Sequence, residues 1–117
     1  MSRIRFALVA ALAAALMLAA TASAAPIKLT GLVGPGFTIT LKKGTAKVAK
    51  LKPGKYTITV KDLSNIHNFH LTGPGVNKST SVSATGTSKW TVTLKKGTYR
   101  FVCDPHKTVM KGLFKVG

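Results

Sequence analysis

The sequence is short of acidic residues, of cysteine and of helical pattern. Its 117 residues hold two carboxylates, Asp62 and Asp104, against 18 Lys and Arg, and one cysteine, Cys103. A lone cysteine excludes an internal disulfide, so in an oxidising compartment this thiol needs another role. Beyond the first 25 residues no stretch repeats its apolar residues at the helical period, which excludes a helical architecture. The apolar run 6–20 is shorter than the roughly 20 residues that a membrane span requires.

That run follows Met1-Ser2-Arg3-Ile4-Arg5 and fades into Thr21-Ala22-Ser23-Ala24. A positive start, an apolar middle and a small-residue end are the plan of a secretory signal peptide. Cleavage is expected after Ala24, because Ala22 and Ala24 are both small and a cut one residue later would leave Pro26 first. No cysteine stands at the cut to take a lipid, and Arg3 and Arg5 are not adjacent as a twin-arginine signal requires. Residues 1–24 are therefore read as a removed leader and 25–117 as a periplasmic or secreted protein. The remaining 93 residues suffice for one modest core and are too few for two domains, so a single monomeric domain is expected.

Loss of the leader leaves sixteen basic residues against two aspartates, a formal charge of about +14. Lysines are spread along the chain instead of gathered with Arg and aromatics in one block, which argues against a nucleic-acid arm. A lysine-rich exterior remains, attractive to acidic partner proteins and to anionic envelope surfaces.

Short runs rich in Thr, Val, Ile, Tyr and Phe alternate with Gly, Pro and Lys-Gly turns, the pattern of an all-β chain. Phe37, Ile39 and Leu41 share one parity, as do Tyr56, Ile58 and Val60, then Trp90, Val92 and Leu94, then Tyr99, Phe101 and Cys103. Each set is expected to face inward, with Thr and Lys on the wet side. Two antiparallel sheets packed as a Greek-key β-sandwich follow, with residues 77–89 as a surface loop plus an edge. Leu51-Lys52-Pro53-Gly54-Lys55-Tyr56 recurs as Leu94-Lys95-Lys96-Gly97-Thr98-Tyr99, and Leu41-Lys42-Lys43-Gly44 repeats the first half. Irregular spacing makes these reused turns and not a tandem array. A tyrosine two residues after a turn glycine resembles a tyrosine corner.

Five residues of the exported part are strong imidazole or sulfur donors: His67, His70, Cys103, His106 and Met110. Three fall within Cys103-Asp104-Pro105-His106-Lys107-Thr108-Val109-Met110, a loop able to gather a thiolate, an imidazole and a thioether around one ion. A further imidazole must come from elsewhere. His67 shares parity with Phe69 and Leu71 on the core face, whereas His70 points with Asn68 to the other side; a bulge would reverse the choice. One Cys, two His and a weak Met form the trigonal set of a blue-copper site. Zinc favours harder or more numerous donors than a thioether, and Met110 is the one methionine left after the leader.

His67-Asn68, then Gly97-x-Tyr99-x-Phe101-x-Cys103, then Cys103-x-x-His106-x-x-x-Met110-x-Gly112-x-Phe114 resemble the type 1 copper cupredoxins of the plastocyanin, pseudoazurin and amicyanin kind, over essentially the whole exported chain. The resemblance implies one copper ion, with His67, Cys103 and His106 as equatorial ligands and Met110 as the axial one. It implies that Asn68 ties the histidine segment to the cysteine loop, and that His106 reaches the surface in an apolar port with Pro105, Val109 and the 73–76 turn. Its three-residue gap from His106 to Met110 lies between those of amicyanin-like and plastocyanin-like loops, and the acidic patch of plant plastocyanins has no counterpart. The function expected is single-electron carriage to a redox partner with an acidic docking surface. The alternatives are envelope copper storage or delivery with the same ligands, and a basic polyanion-binding sandwich. A closed ligand set offers no open position for substrate, so an enzyme is not expected.

Overall fold

Period-two alternation produces ten strands in the computed structural model, which describes residues 24–117. They are β1 (Ile27–Val33), β2 (Ile39–Lys43), β3 (Ala46–Lys47), β4 (Lys50–Leu51), β5 (Gly54–Asp62), β6 (His70–Gly73), β7 (Val76–Ser79), β8 (Gly86–Leu94), β9 (Gly97–Val102) and β10 (Lys111–Val116). A 3-10 turn, Asp104–His106, follows β9. Except for Ala24, the leader expected over residues 1–24 lies outside the described residues.

The strands form two five-stranded sheets, ordered β3-β2-β1-β5-β8 and β4-β10-β9-β6-β7. Connections from β5 to β6, β7 to β8 and β8 to β9 cross between the sheets, giving the expected sandwich. The sheets are mixed and not wholly antiparallel, because β1 runs parallel to β5 and β10 parallel to β4. The excursion through β2, β3 and β4 returns the chain to the end where β1 began, so β5 sets out in the same direction.

Leu29, Val33, Tyr56, Ile58, Val60, Val92 and Leu94 from one sheet meet Leu71, Tyr99, Phe101, Phe114 and Val116 from the other, all buried. Phe69 stacks on Phe101 with ring centroids 5.4 Å apart, and Tyr99 stacks on Phe114 at 5.3 Å. Gly112 lies opposite Phe101 across the β9–β10 pair, where a Cβ would run into the ring. Phe37 departs from the expected inward set: β2 begins only at Ile39, and Phe37 is 58% exposed. Gly34-Pro35-Gly36 interrupts the strand pattern ahead of it. Residues 77–89 supply the loop and the edges, with β7 bordering one sheet and β8 the other.

The sequence echo is structural for two of its copies. Gly54 and Gly97 have φ of 150° and 149°, backbone that a side chain would strain, and Tyr56 and Tyr99 follow them. The Tyr56 hydroxyl donates to Lys52 O at 2.6 Å; the Tyr99 hydroxyl accepts from Lys95 N–H at 2.9 Å and donates to Pro74 O at 2.8 Å. Gly44 has φ 60° and belongs to a different turn. Tyr99→Phe should lower stability by about 1–2 kcal/mol in urea unfolding, since it strands two backbone partners. An unchanged midpoint would remove Tyr99 from the set of contacts that hold the sandwich.

Candidate metal centre

Four loops, residues 34–38, 63–69, 80–85 and 103–110, close one end of the sandwich, where β1, β5, β7 and β9 finish and β2, β6, β8 and β10 start. Asp62 ends β5, and its Oδ1 accepts the Ser64 N–H at 3.0 Å, the side-chain turn that sends the chain towards His67. Burial pushes the Asp62 carboxyl above the ordinary aspartate range, against the opposing pull of Ser64 and His67, and its Oδ2 has no hydrogen-bond partner.

The cysteine loop is laced by its own backbone. Cys103 N–H donates to Met110 O and His106 N–H to Cys103 O, both at 3.0 Å, while Val109 and Met110 N–H groups donate to His106 O at 3.1 and 2.9 Å. Pro105 fits the first turn of the 3-10 segment, where its missing N–H has no partner to lose. Cys103 and Met110 are fully buried.

His67, Cys103 and His106 converge. His67 Nδ1 and His106 Nδ1 face each other at 3.0 Å, and Cys103 Sγ lies 3.6 Å from the first and 3.5 Å from the second. All three donors lie within 4.8 Å of one another. A point equidistant from such a triangle sits about 2 Å from each corner, a normal bond length from a first-row metal to imidazole nitrogen. Two imidazoles and a thiolate, with Met110 buried on the same loop, make a soft, compact donor set that fits one copper ion.

His67 is 2% exposed and enters the triangle. His70 does not: it begins β6 and faces Asp104, whose Oδ1 and Oδ2 are 2.9 and 3.1 Å from its Nδ1, and Asn77, whose Oδ1 is 2.7 Å from its Nε2. Parity separates the two histidines even though residues 67–69 precede the strand proper.

Asn68 locks the segments together. Its side chain donates to Asp104 Oδ2 at 2.8 Å and to Thr80 O at 3.3 Å and accepts Asp104 N–H at 2.8 Å, while its backbone N–H points at Cys103 Sγ from 3.4 Å. Thr80 fastens the next residue, accepting Phe69 N–H on its hydroxyl at 2.9 Å.

Sequence reasoning missed the contribution of Phe37. Its ring stands edge-on to both imidazoles, 5.0 Å from His67 and 5.0 Å from His106, which are themselves 4.7 Å apart. An aromatic residue beside Gly34-Pro35-Gly36, outside any strand, was the available signal. The expected port also changes. Registry of Thr72 with Arg100 places the 73–76 turn at the opposite end of the sandwich, because β6 leaves the metal end at His70. Phe37, Leu63, Ile66 and Val109 are the exposed apolar residues on the loops around partly buried His106.

A family model described as a cupredoxin-like domain matches residues 8–116. No curated protein sequence matches the chain significantly. Among solved structures, rusticyanin from Thiobacillus ferrooxidans is similar with a TM-score of 0.55 and 22% identity, covering 77% of this chain and 76% of that one. Reduced rusticyanin gives 0.57 and 20%, covering 77% and 78%. A methionine-to-glutamine variant of rusticyanin gives 0.58 and 20%, covering 77% and 76%. At these identities the likeness is one of fold.

The ion pair beside the site generates a pH prediction. The Asp104 hydrogen bond raises the His70 pKa above 6.5, despite partial burial and with help from Asn77. Burial works to raise the Asp104 pKa, but hydrogen bonds from His70 and Asn68 outweigh it and hold the carboxyl below 3.8. Raised for the cation, the shift stabilises fully below the unfolded histidine pKa and is lost as pH climbs through the folded one; lowered for the acid, it is lost as pH falls through the folded Asp104 value. The stability advantage of the protein over its His70→Gln variant should therefore be greatest between about pH 4 and 6.5 and shrink on both sides. A difference that does not vary with pH in urea titrations would dismiss the ion pair.

Proposed function

Because the chain belongs to the cupredoxin-like domain family, we propose that it is an exported type 1 copper protein, periplasmic or secreted, that carries single electrons between partner proteins. The observation that carries this reading is the triangle of His67 Nδ1, Cys103 Sγ and His106 Nδ1, with sides of 3.0 to 3.6 Å. His67, Cys103 and His106 would hold the ion equatorially, with Met110 as the weak axial donor. A copper ion bound there supplies reversible one-electron exchange between Cu(II) and Cu(I).

The chain's own residues favour that use over catalysis. Buried His67, Cys103 and Met110 exclude water, and the laced loop keeps the donors near one geometry, which suits fast exchange because little has to move. Asn68 N–H, aimed at the cysteine sulfur, tempers the negative charge there. Phe37 covers the outer edges of both imidazoles and leaves the apolar rim of Leu63, Ile66 and Val109 as the place where a redox partner packs against His106. An acidic patch on that partner would reach Lys107, beside His106, and Lys61 and Lys111 just behind the rim.

Cys103→Ser should abolish the intense visible band of the Cu(II)-loaded protein while leaving the sandwich folded, since a hydroxyl cannot supply the thiolate orbital. A variant that stays intensely coloured would remove Cys103 from the site. In copper titrations His67→Ala should lose tight binding and His70→Ala should keep it; the reverse result would place His70 at the metal. For the carrier role, stopped-flow exchange with a redox protein should be fast. If exchange is sluggish at every salt concentration while Cu(I) passes readily to an apo acceptor, copper delivery replaces electron carriage.

A further inference from the structure

The repeated Lys-x-Gly turns have no part in the metal centre, yet all three fall at one place. Lys43-Gly44 follows β2, Lys52-Pro53-Gly54 precedes β5 and Lys95-Lys96-Gly97 joins β8 to β9; each lies at the end of the sandwich opposite the copper loops. Pairing of Gly54 with Leu94 sets the second turn beside the third. Lys43, Lys50 and Lys52 share one shallow hollow with Ile27 and Tyr56. Lys55 and Lys115 lie close inside this pole. Seven lysines thus gather there without an acidic side chain, since Asp62 and Asp104 both stand at the other end. The metal pole carries Lys107 on its loops and Lys61 and Lys111 just inside them, set against both Asp62 and Asp104.

Two like-charged cross-strand pairs sharpen the contrast. Lys50 is registered with Lys115 inside this pole, and Lys42 with Lys47 further along the other sheet, like-charged neighbours that repel when nothing neutralises them. A counter-charge from outside the molecule would relieve them.

We propose that this lysine pole docks the protein on an anionic phospholipid surface, with the metal pole turned away from the bilayer. Lysine ammonium groups on flexible stems, without an arginine fork or an exposed aromatic ring, suit a laterally uniform layer of phosphates better than a shaped acidic patch. Ile27, 42% exposed amid these lysines, offers a small apolar contact. The chain also enters the sandwich here, with Ala24 and Ala25 beside Lys52, Pro53 and Lys55. Nine residues of β5 put the poles about 30 Å apart. Screening over about 8 Å at physiological salt lets one pole hold lipid while the other meets its partner.

The test requires no metal. The purified protein is mixed with phosphatidylcholine vesicles containing phosphatidylglycerol, and with phosphatidylcholine alone, and partitioning is read by sedimentation. A Lys43→Gln, Lys52→Gln, Lys95→Gln, Lys96→Gln variant is compared with a control of equal charge loss, Lys61→Gln, Lys78→Gln, Lys89→Gln, Lys111→Gln, both carrying the same N-terminal residues. Partitioning to anionic vesicles should fall more than about 10-fold in the pole variant and only a few-fold in the control. Equal losses, no loss in the pole variant, or equal binding to neutral vesicles would overturn the proposal. Hydrogen exchange on the unmodified protein gives a second reading: vesicles should protect residues 43–45, 52–54 and 95–97, and protection at 103–110 instead would overturn it.

Discussion

Asn68 and Asp104 are 36 positions apart, and the hydrogen bonds between them are what the rest of the metal end depends on. One amide side chain takes the Asp104 N–H and donates to its carboxylate, while the Asn68 backbone N–H reaches the neighbouring sulfur. Histidine and cysteine therefore arrive as one unit although they come from different loops. Buried polar groups are costly unless partnered, so this interlock is specific: an apolar side chain at 68 would strand the Asp104 N–H and leave the carboxylate one donor short. His70 completes the arrangement from outside, so that the two histidines of the segment divide the work, one inside the triangle and one bracing its frame.

Behind the interlock stands a ring. Phe69 fills the space between the sheets, stacked on Phe101 of β9, tilted against Trp90 of β8 and close enough to Gly31 of β1 that a Cβ there would press on it. Its neighbours in sequence, Asn68 and His67, cannot drift without moving the core. Packing energy spent on Phe69 is thus converted into positional precision at His67, and glycines at 31 and 112 keep the space around the Phe69 and Phe101 rings free.

Legibility in the sequence followed the physics of each element. Strands β5 and β9 were legible because their apolar residues keep strict alternation and face one core. Strand β1 was not among the expected faces, because Gly31 stands at an inward position and Leu32 at an outward one, which blurs its period. The cluster of His67, Cys103 and His106 was legible because sulfur and imidazole are scarce in this chain, and His67 was separable from His70 because parity persists into the extended segment before β6. Phe37 and the 73–76 turn were misplaced for different reasons: Gly34-Pro35-Gly36 breaks the strand pattern ahead of Phe37, so that β2 begins only at Ile39, whereas the end of a sandwich that a turn reaches depends on strand direction, which is decided by pairings that no local pattern records. The parallel partnership of β1 with β5 belongs to the same class of non-local fact.

The edge strands have a consequence of their own. An open sheet edge exposes unpaired backbone donors and acceptors and invites another chain to add on. Here the four edges are β3, β4, β7 and β8, and every one carries a lysine, Lys47, Lys50, Lys78 and Lys89 respectively. Two of those edges are only two residues long. A second copy approaching in register would bring ammonium against ammonium along each border, so crowding at high concentration should leave the molecules dispersed and not joined into extended sheets.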